Sequence, residues 1–408
     1  MPRLISIAAM LASTTFLGAA EKVVIEKITY SKDVAPILDR RCVECHRSGE
    51  VAPMAFTTYA EVRPWARAIR EATTSRKMPP WLADPHFGKF LNDRRLSEKE
   101  VATITAWVAA GALEGDPKTR PELPQYTEGW SIGKPDMVID IGTDFEVPAS
   151  GVVPYKYFRV PTKFTEDKWI EAAEIRPGNR TAIHHVIVFV REPDGKQADF
   201  GDGGDLLTGF APGEQPLVFE KGTAKLVRAG SFLNFQLHYT PNGKALTDRT
   251  YVGLKFAKEP PANRAVTGRA MNVGFRIPAG ADAHEVKSSW TFKQDVTLHN
   301  LMPHMHLRGK DFKYTLTFPD GRQEVLLSVP KYDFNWQLTY ELAKPILVPK
   351  GARLDCVAHF DNSPNNKYNP DPSKEVRWGD QTWEEMMIGW FSYTVPSSPF
   401  LVSQAKAE

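Results

Sequence analysis

Hydrophobic positions repeat with a helical period only in the first quarter of the chain. SKDVAPILDRRC opens on a Ser/Asp start signal and sets Val34, Ile37 and Leu38 at the spacing of one helix face. YAEVRPWARAIREA predicts a second helix with Pro64 in its first turn, where the missing N–H has no partner to lose. The third is the clearest. Ser97 and Glu100 form a capping-box pattern, Val101, Ile104 and Val108 line one face, and Gly111 closes the end. Residues 27–116 therefore read as a small all-α unit.

The period then changes. From Glu114 to Asp136 the chain runs EGDPKTRPELPQYTEGWSIGKPD, rich in Pro, Gly and charge, and 117–136 reads as a linker. Beyond it apolar residues alternate as in strands: MVIDI, YKYFRV, HHVIVFV, FLNFQLHY, YVGLKF, VTLHNLM, FKYTLTF and RLDCVAHF. Turn signals PDG, PNG and PAG separate them. About 260 β residues are more than one sandwich needs, so two are predicted, 137–259 and 264–400, with KEPPAN (Lys258 to Asn263) at the boundary. The expected fold class is multidomain: a small all-α unit followed by two all-β antiparallel sandwich domains.

Composition narrows the setting. MPRLISIAAMLASTTFLGAA has one early positive charge, a short apolar run, and Gly18 and Ala20 at cleavage-type positions, the layout of an export signal over 1–20. It predicts a periplasmic or secreted protein, cut near Ala20 or held there by an uncleaved anchor. No later apolar run reaches the ~20 residues of a spanning helix. The net charge of +2, with both signs interspersed, gives no case for nucleic acid or a membrane surface. With 3 cysteines a disulfide framework is excluded, and Cys356 has no partner once the other two are assigned.

Those two lie in Cys42-Val-Glu-Cys45-His46, the C-x-x-C-H signature of covalent c-type haem attachment. Two thiols one helical turn apart bond both vinyl groups, and the adjacent histidine falls under the iron as an axial ligand. A redox CxxC or half a zinc site is the competing reading, and the export signal and the histidine argue for haem. Residues 27–116 also resemble class-I-like cytochrome c domains, including a final helix of the LSEKEVATITAWVAAGA type. That resemblance implies a sixth iron ligand from a later loop. Met78 in SRKMPPW fits best, with Met54 and His86 as alternatives and packing against the haem as the other role open to Met78.

The β region carries eight histidines: His184, His185, His238, His284, His299, His304, His306 and His359. His304 and His306 are i, i+2, so on a strand both imidazoles leave one face and can meet one metal. His184 and His185 are adjacent and on an ideal strand would point apart, so the backbone must bend for both to hold one ion. His238 lies near a strand end, before the PNG turn. Imidazole suits copper, zinc, iron and nickel, and a thioether partner favours Cu(I). A lone strand histidine is more often packed or solvated than a ligand, which leaves His284, His299 and His359 as bystanders.

The ordered set IHHVIVF, FQLHYT, HMHLRGK and TWEEMMIGWFSY resembles the copper type II, ascorbate-dependent monooxygenases, the family of peptidylglycine α-hydroxylating and dopamine β-monooxygenases, from about Ile183 to Tyr393. The resemblance implies two jelly-roll domains, each holding one copper across an open cleft. His184, His185 and His238 would bind the electron-transfer copper. His304, His306 and Met386, with Met387 as the neighbouring alternative, would bind the catalytic copper. The implied activity is hydroxylation of a C–H bond with O₂ as co-substrate. Two departures stand out. Met302 occupies the position of a substrate-binding arginine, and Ile388 and Trp390 replace the Asn and Tyr of the peptide-amidating branch. Both argue against a peptidyl-glycine substrate and for another small organic molecule.

The expected cofactors are thus two copper ions and one covalent haem c. The electron donor would be an ascorbate-like reductant or a periplasmic redox protein acting through the tethered haem, since tethering raises effective concentration. The competing readings are a non-oxygenating copper and haem electron-transfer or copper-binding protein on the same scaffold, and a surface-binding module that takes no copper.

Overall fold

The computed structural model describes residues 27–50, 52–123, 129–193, 205–211 and 213–397, so the expected export signal lies outside the described residues. The chain is mostly β. Its helices gather near the N-terminus, in Ala35–Arg41, Tyr59–Val62, Ala66–Thr74 and Glu98–Ala109. Among the described residues no helix is long and apolar enough to cross a membrane.

The helical region buries Tyr30, Val34, Leu38, Ile104 and Trp107 in a core of its own. Ser97 and Glu100 form the reciprocal capping box that their spacing predicts, and Gly111 ends that helix at φ +93°. The helix around Pro64 begins earlier than expected. Thr58 and Glu61 make a second capping box, so the start is fixed there and Pro64 falls mid-run. Lacking an N–H, Pro64 breaks the ladder, and Arg63–Trp65 tighten into a 3₁₀ turn between Tyr59–Val62 and Ala66–Thr74.

Two four-over-four stacks make up most of the rest, with two small two-stranded sheets beside them. In the first, the sheet Lys156–Pro161, Phe232–Tyr239, Ile183–Arg191, Asp205–Phe210 covers the sheet Met137–Asp140, Tyr251–Phe256, Lys168–Arg176, Thr223–Val227. Val186, Val188, Phe235 and Ile170 meet between them. In the second, His284–Thr291, Arg353–Phe360, Gly309–Thr317, Gln323–Val329 covers Asn263–Met271, Ile388–Pro396, Val296–His304, Tyr340–Val348. Leu298, Leu301, Tyr314, Leu354 and Phe391 fill that core.

Two features depart from a chain of separate units. Thr223–Val227 and Asn263–Met271 pair in parallel, Asn263 opposite Thr223 and Arg264 opposite Ala224. The pairs inside each sandwich are antiparallel as expected; this parallel pair lies between the sandwiches and fuses a layer of each, with the short strand Leu217–Val218, into one nine-stranded sheet. The residues after Met78 also leave the helical region. Trp81 and Ala83 bury in the second sandwich's core, with Trp81 edge-on to Tyr340 at 4.9 Å. Backbone bonds tie this strap down: Asp84 N–H to the Ser328 carbonyl, Leu91 N–H to the Glu341 carbonyl, and Ala343 N–H to the Lys89 carbonyl. A tryptophan in such a core is worth about 3–5 kcal/mol on truncation to alanine. The strap is thus integral to the second sandwich, and Leu96 brings the chain back into the helical core.

Candidate metal centre

The adjacent histidines converge because their strand is irregular. Ile183–Arg191 pairs with Phe232–Tyr239 with Ile183 opposite Tyr239 and His185 opposite His238, so His184 is an extra residue on one side. Such a bulge re-aims side chains that strict alternation would send to opposite faces. His184, His185 and His238 each bring a ring nitrogen to within 4.8 Å of the others. His184 Nε2, His185 Nε2 and His238 Nδ1 are buried without a hydrogen-bond partner among the described residues.

His304 ends its strand and His306 follows in the turn, their rings 5.2 Å apart and nearly perpendicular. Met305 between them points away, fully buried in the second core. Each ring is held from its Nδ1 side. His304 Nδ1 donates to Gln337 Oε1 at 2.7 Å, and His306 Nδ1 to the Glu384 carbonyl at 3.2 Å. That fixes the tautomer and leaves Nε2 free, and His306 Nε2 is buried without a partner. The turn hangs on the Glu385 carboxylate, which accepts from the His306 N–H at 2.9 Å and the Arg308 N–H at 2.7 Å. Burial pushes Glu385 up to about 8, against the pull of these donors and the Arg308 guanidinium. Removing its acceptors would strand two buried N–H groups, at about 1–3 kcal/mol each.

The two histidine groups share walls. Tyr155, just ahead of the strand Lys156–Pro161, lies 4.8 Å from His238, 5.4 Å from His185 and 6.4 Å from His306 between ring centroids. Phe334, in the loop between Gln323–Val329 and Tyr340–Val348, stacks on His184 at 4.9 Å and sits 5.9 Å from His306. Two aromatic rings therefore bridge the two groups, and five imidazoles surround one compartment at the join of the sandwiches. Burial holds all five neutral. His184 and His304 fall to about 4, His238 to about 3, and His185 and His306 well below the usual value. Neutral imidazoles with orphaned nitrogens are the state in which histidine takes a metal.

The remaining sequence candidates separate clearly. Met386 is half-buried, two residues before Ile388, whose register partner is His304. It packs with Met302, Ile388, Trp390 and Phe189 in an apolar cluster between the sandwiches. Met387 is fully buried in the second core. His299 occupies a bulge and bonds Thr394 Oγ1 at 3.0 Å. His359 pairs with Asp311 at 2.7 Å on the outer sheet, and His284 starts the strand beside it. Tyr155, Phe334, Gln337 and Glu385 went unread in the sequence. Only Glu385, a charged residue beside the expected methionine ligand, carries any local signal.

The CxxCH segment forms one tight turn, with the His46 N–H bonded to the Cys42 carbonyl at 2.9 Å and both thiols unpaired. His46 Nδ1 donates to the Met54 carbonyl at 3.2 Å and its ring stacks on Phe56. Met54 and Cys42 pack against the helical core, whereas Met78 lies outside that cluster where the strap begins. His86 is exposed and bonded to Asp84.

No family model matches the chain, and no curated protein matches it. Solved structures similar to it include the major capsid protein P2 of bacteriophage PM2, at 10% identity over 64% of this chain and 99% of that one, with a TM-score of 0.29. Others are an infectious bursal disease virus structure (Gx strain; 7% identity, 66% and 83% covered, TM-score 0.18) and allantoicase (11% identity, 53% and 79% covered, TM-score 0.17). At these values the likeness carries no argument about activity.

Proposed function

We propose that this chain is an exported, haem-linked dicopper monooxygenase of the jelly-roll type, hydroxylating a C–H bond of a small organic substrate with O₂. The observation that carries the reading is the bulged His184–His185 pair facing His238, with all three free nitrogens buried and unpaired, beside a second histidine pair oriented from behind. Buried polar atoms without partners are rare in folded proteins, and a cluster of them on imidazoles points to a metal. His184, His185 and His238 would hold one copper, and His304, His306 and Met386 the other. Bound copper supplies one-electron chemistry and activation of O₂.

The chain's own residues support that chemistry. Gln337 and the Glu384 carbonyl aim His304 and His306, Glu385 fixes their turn, and Phe334 packs against His184 and His306. The apolar cluster of Met302, Ile388, Trp390 and Phe189 next to His304 offers a small hydrocarbon or aromatic group a wall, with the Arg269 guanidinium lying over Trp390 at 5.1 Å.

In the helical region Cys42 and Cys45 would attach the haem as a cytochrome c-like unit. His46, with Nδ1 already bonded to a backbone carbonyl, would ligate through Nε2. For the sixth ligand Met54 has the packing position and Met78 the sequence spacing. The attachment loop docks on the first sandwich: Glu50 pairs with Arg180, in the turn leading into the His184 strand, and Glu44 accepts from Gln215. Cys45 lines a crevice against that sandwich with Arg47, Arg176 and Arg180. This arrangement supports electron entry through the haem, from a periplasmic redox protein or an ascorbate-like reductant.

Metal analysis with copper EPR on the full-length holoprotein tests the reading. Two coppers and one haem per chain are expected, and fewer than one copper sinks it. Consumption of O₂ that starts on adding substrate then separates an oxygenase from a protein that only carries electrons.

A further inference from the structure

The compartment holds one more orphan. Besides its histidine nitrogens, the Tyr155 hydroxyl is buried with no hydrogen-bond partner among the described residues. Tyr155 is 7% exposed, and its backbone N–H reaches across to Gln381 Oε1 of the second sandwich at 3.3 Å. Tyr30, in the helical core, also has an unpartnered hydroxyl, but three buried tyrosines of the β region behave differently. Tyr239 donates to Asp248 at 2.9 Å, Tyr314 to the Trp390 carbonyl at 3.1 Å and Tyr332 to the Met305 carbonyl at 2.9 Å. Its neighbour Tyr157 donates to Asp380 at 3.4 Å and accepts from Gln236 at 2.9 Å.

An aromatic ring alone would suffice to pack against His185, His238 and His306. The hydroxyl adds a desolvated donor that destabilises the fold unless something arrives to accept it. The ring that carries it neighbours rings of both histidine groups, which makes a ligand held between those groups the candidate acceptor. The acceptor has to be compact and rich in lone pairs: a small anion or an oxygen-bearing ligand.

We propose that Tyr155 is a ligand-binding residue common to the two histidine groups, its hydroxyl donating a hydrogen bond to a small anionic or oxygen-bearing ligand held between them. This rests on the copper reading above. It adds that the two groups act on one exogenous ligand space, served by a donor from the first sandwich.

The test uses the full-length protein loaded with Cu(II) and azide as the probe, followed by its charge-transfer absorption. Tyr155→Phe keeps the ring and deletes the donor. Azide affinity is expected to fall about tenfold, the loss of one charge-assisted hydrogen bond, with copper content unchanged. The melting temperature of the metal-free variant should hold or rise, because the deleted group has no partner. Tyr157→Phe, whose hydroxyl is already bonded, should leave azide affinity as it was. Equal azide affinity in Tyr155→Phe overturns the proposal while leaving the copper reading intact, and so does an equal loss in Tyr157→Phe. Uptake of less than one copper by the wild-type chain overturns both.

Discussion

Gln337 never touches the space in front of His304, yet it decides which nitrogen His304 presents there. Replacing it with leucine keeps the volume and deletes the acceptor, freeing the ring to turn and to change tautomer. Outer partners of this kind are typically worth 10- to 100-fold in metal affinity. Under the proposed copper assignment, Gln337→Leu should therefore weaken one of the two sites by about that factor and leave the other unchanged, as read by competition with a chelator. Equal weakening of both sites would contradict the assignment. The histidines and the residues that support them differ in how they show in the sequence. The histidines announce themselves through spacing, because HMH and HH are local patterns. Gln337, Phe334 and Tyr155 are ordinary residues in ordinary stretches, and their role exists only because the fold brings them to histidines far away in the chain.

At the scale of elements, the strap from Met78 to Arg95 joins the helical region to the second sandwich, and a half-buried carboxylate sits at its seam. Glu341 accepts from Asn300, and its backbone bonds both Leu91 and Asn92. Burial, helped by nearby Glu214, raises it to about 7. Because the folded value lies above the unfolded one of about 4.5, its favourable contribution is fully present below pH 4.5 and is lost as the pH rises through 7. Glu341→Gln should thus melt higher than the wild type at pH 8.5, with the gap closing towards pH 5; a gap that widens on acidification would refute the assignment. Strands with clean alternation, such as Phe232–Tyr239 and Arg353–Phe360, were legible to the residue. Lys168–Arg176 reads KWIEAAEIR, whose alanines and glutamates suit a helix, and it becomes a strand because it is flanked on both sides in a buried sheet. The strap was unreadable for a related reason: its aromatic residues are too few to show a period, and their core lies more than two hundred residues away in sequence (340 − 81 = 259).

For the whole molecule, the proposed function makes the route of electrons depend on docking rather than on tethering alone. Reversing Glu50 to arginine breaks its pair with Arg180, and reversing Arg180 as well restores an opposite-charge pair. The single change should slow haem-to-copper electron transfer by several-fold in stopped-flow absorption, and the double change should recover it. Identical rates in all three proteins would mean that the docked contact is not the path. Deleting everything before Met137 is a poorer test, since it also removes Trp81 and Ala83 from the second core. The parallel pairing at Asn263 and Arg264 has a consequence of another kind. KEPPAN looks like a hinge, but severing the chain there would open a raw sheet edge on each half, the kind of surface that recruits other chains. The two sandwiches behave as one folded plate with a crease. Their histidine groups therefore sit on either side of a hydrogen-bonded seam, and under the proposed function a substrate would be admitted by side chains and loops such as the one bearing Phe334, with the seam left closed.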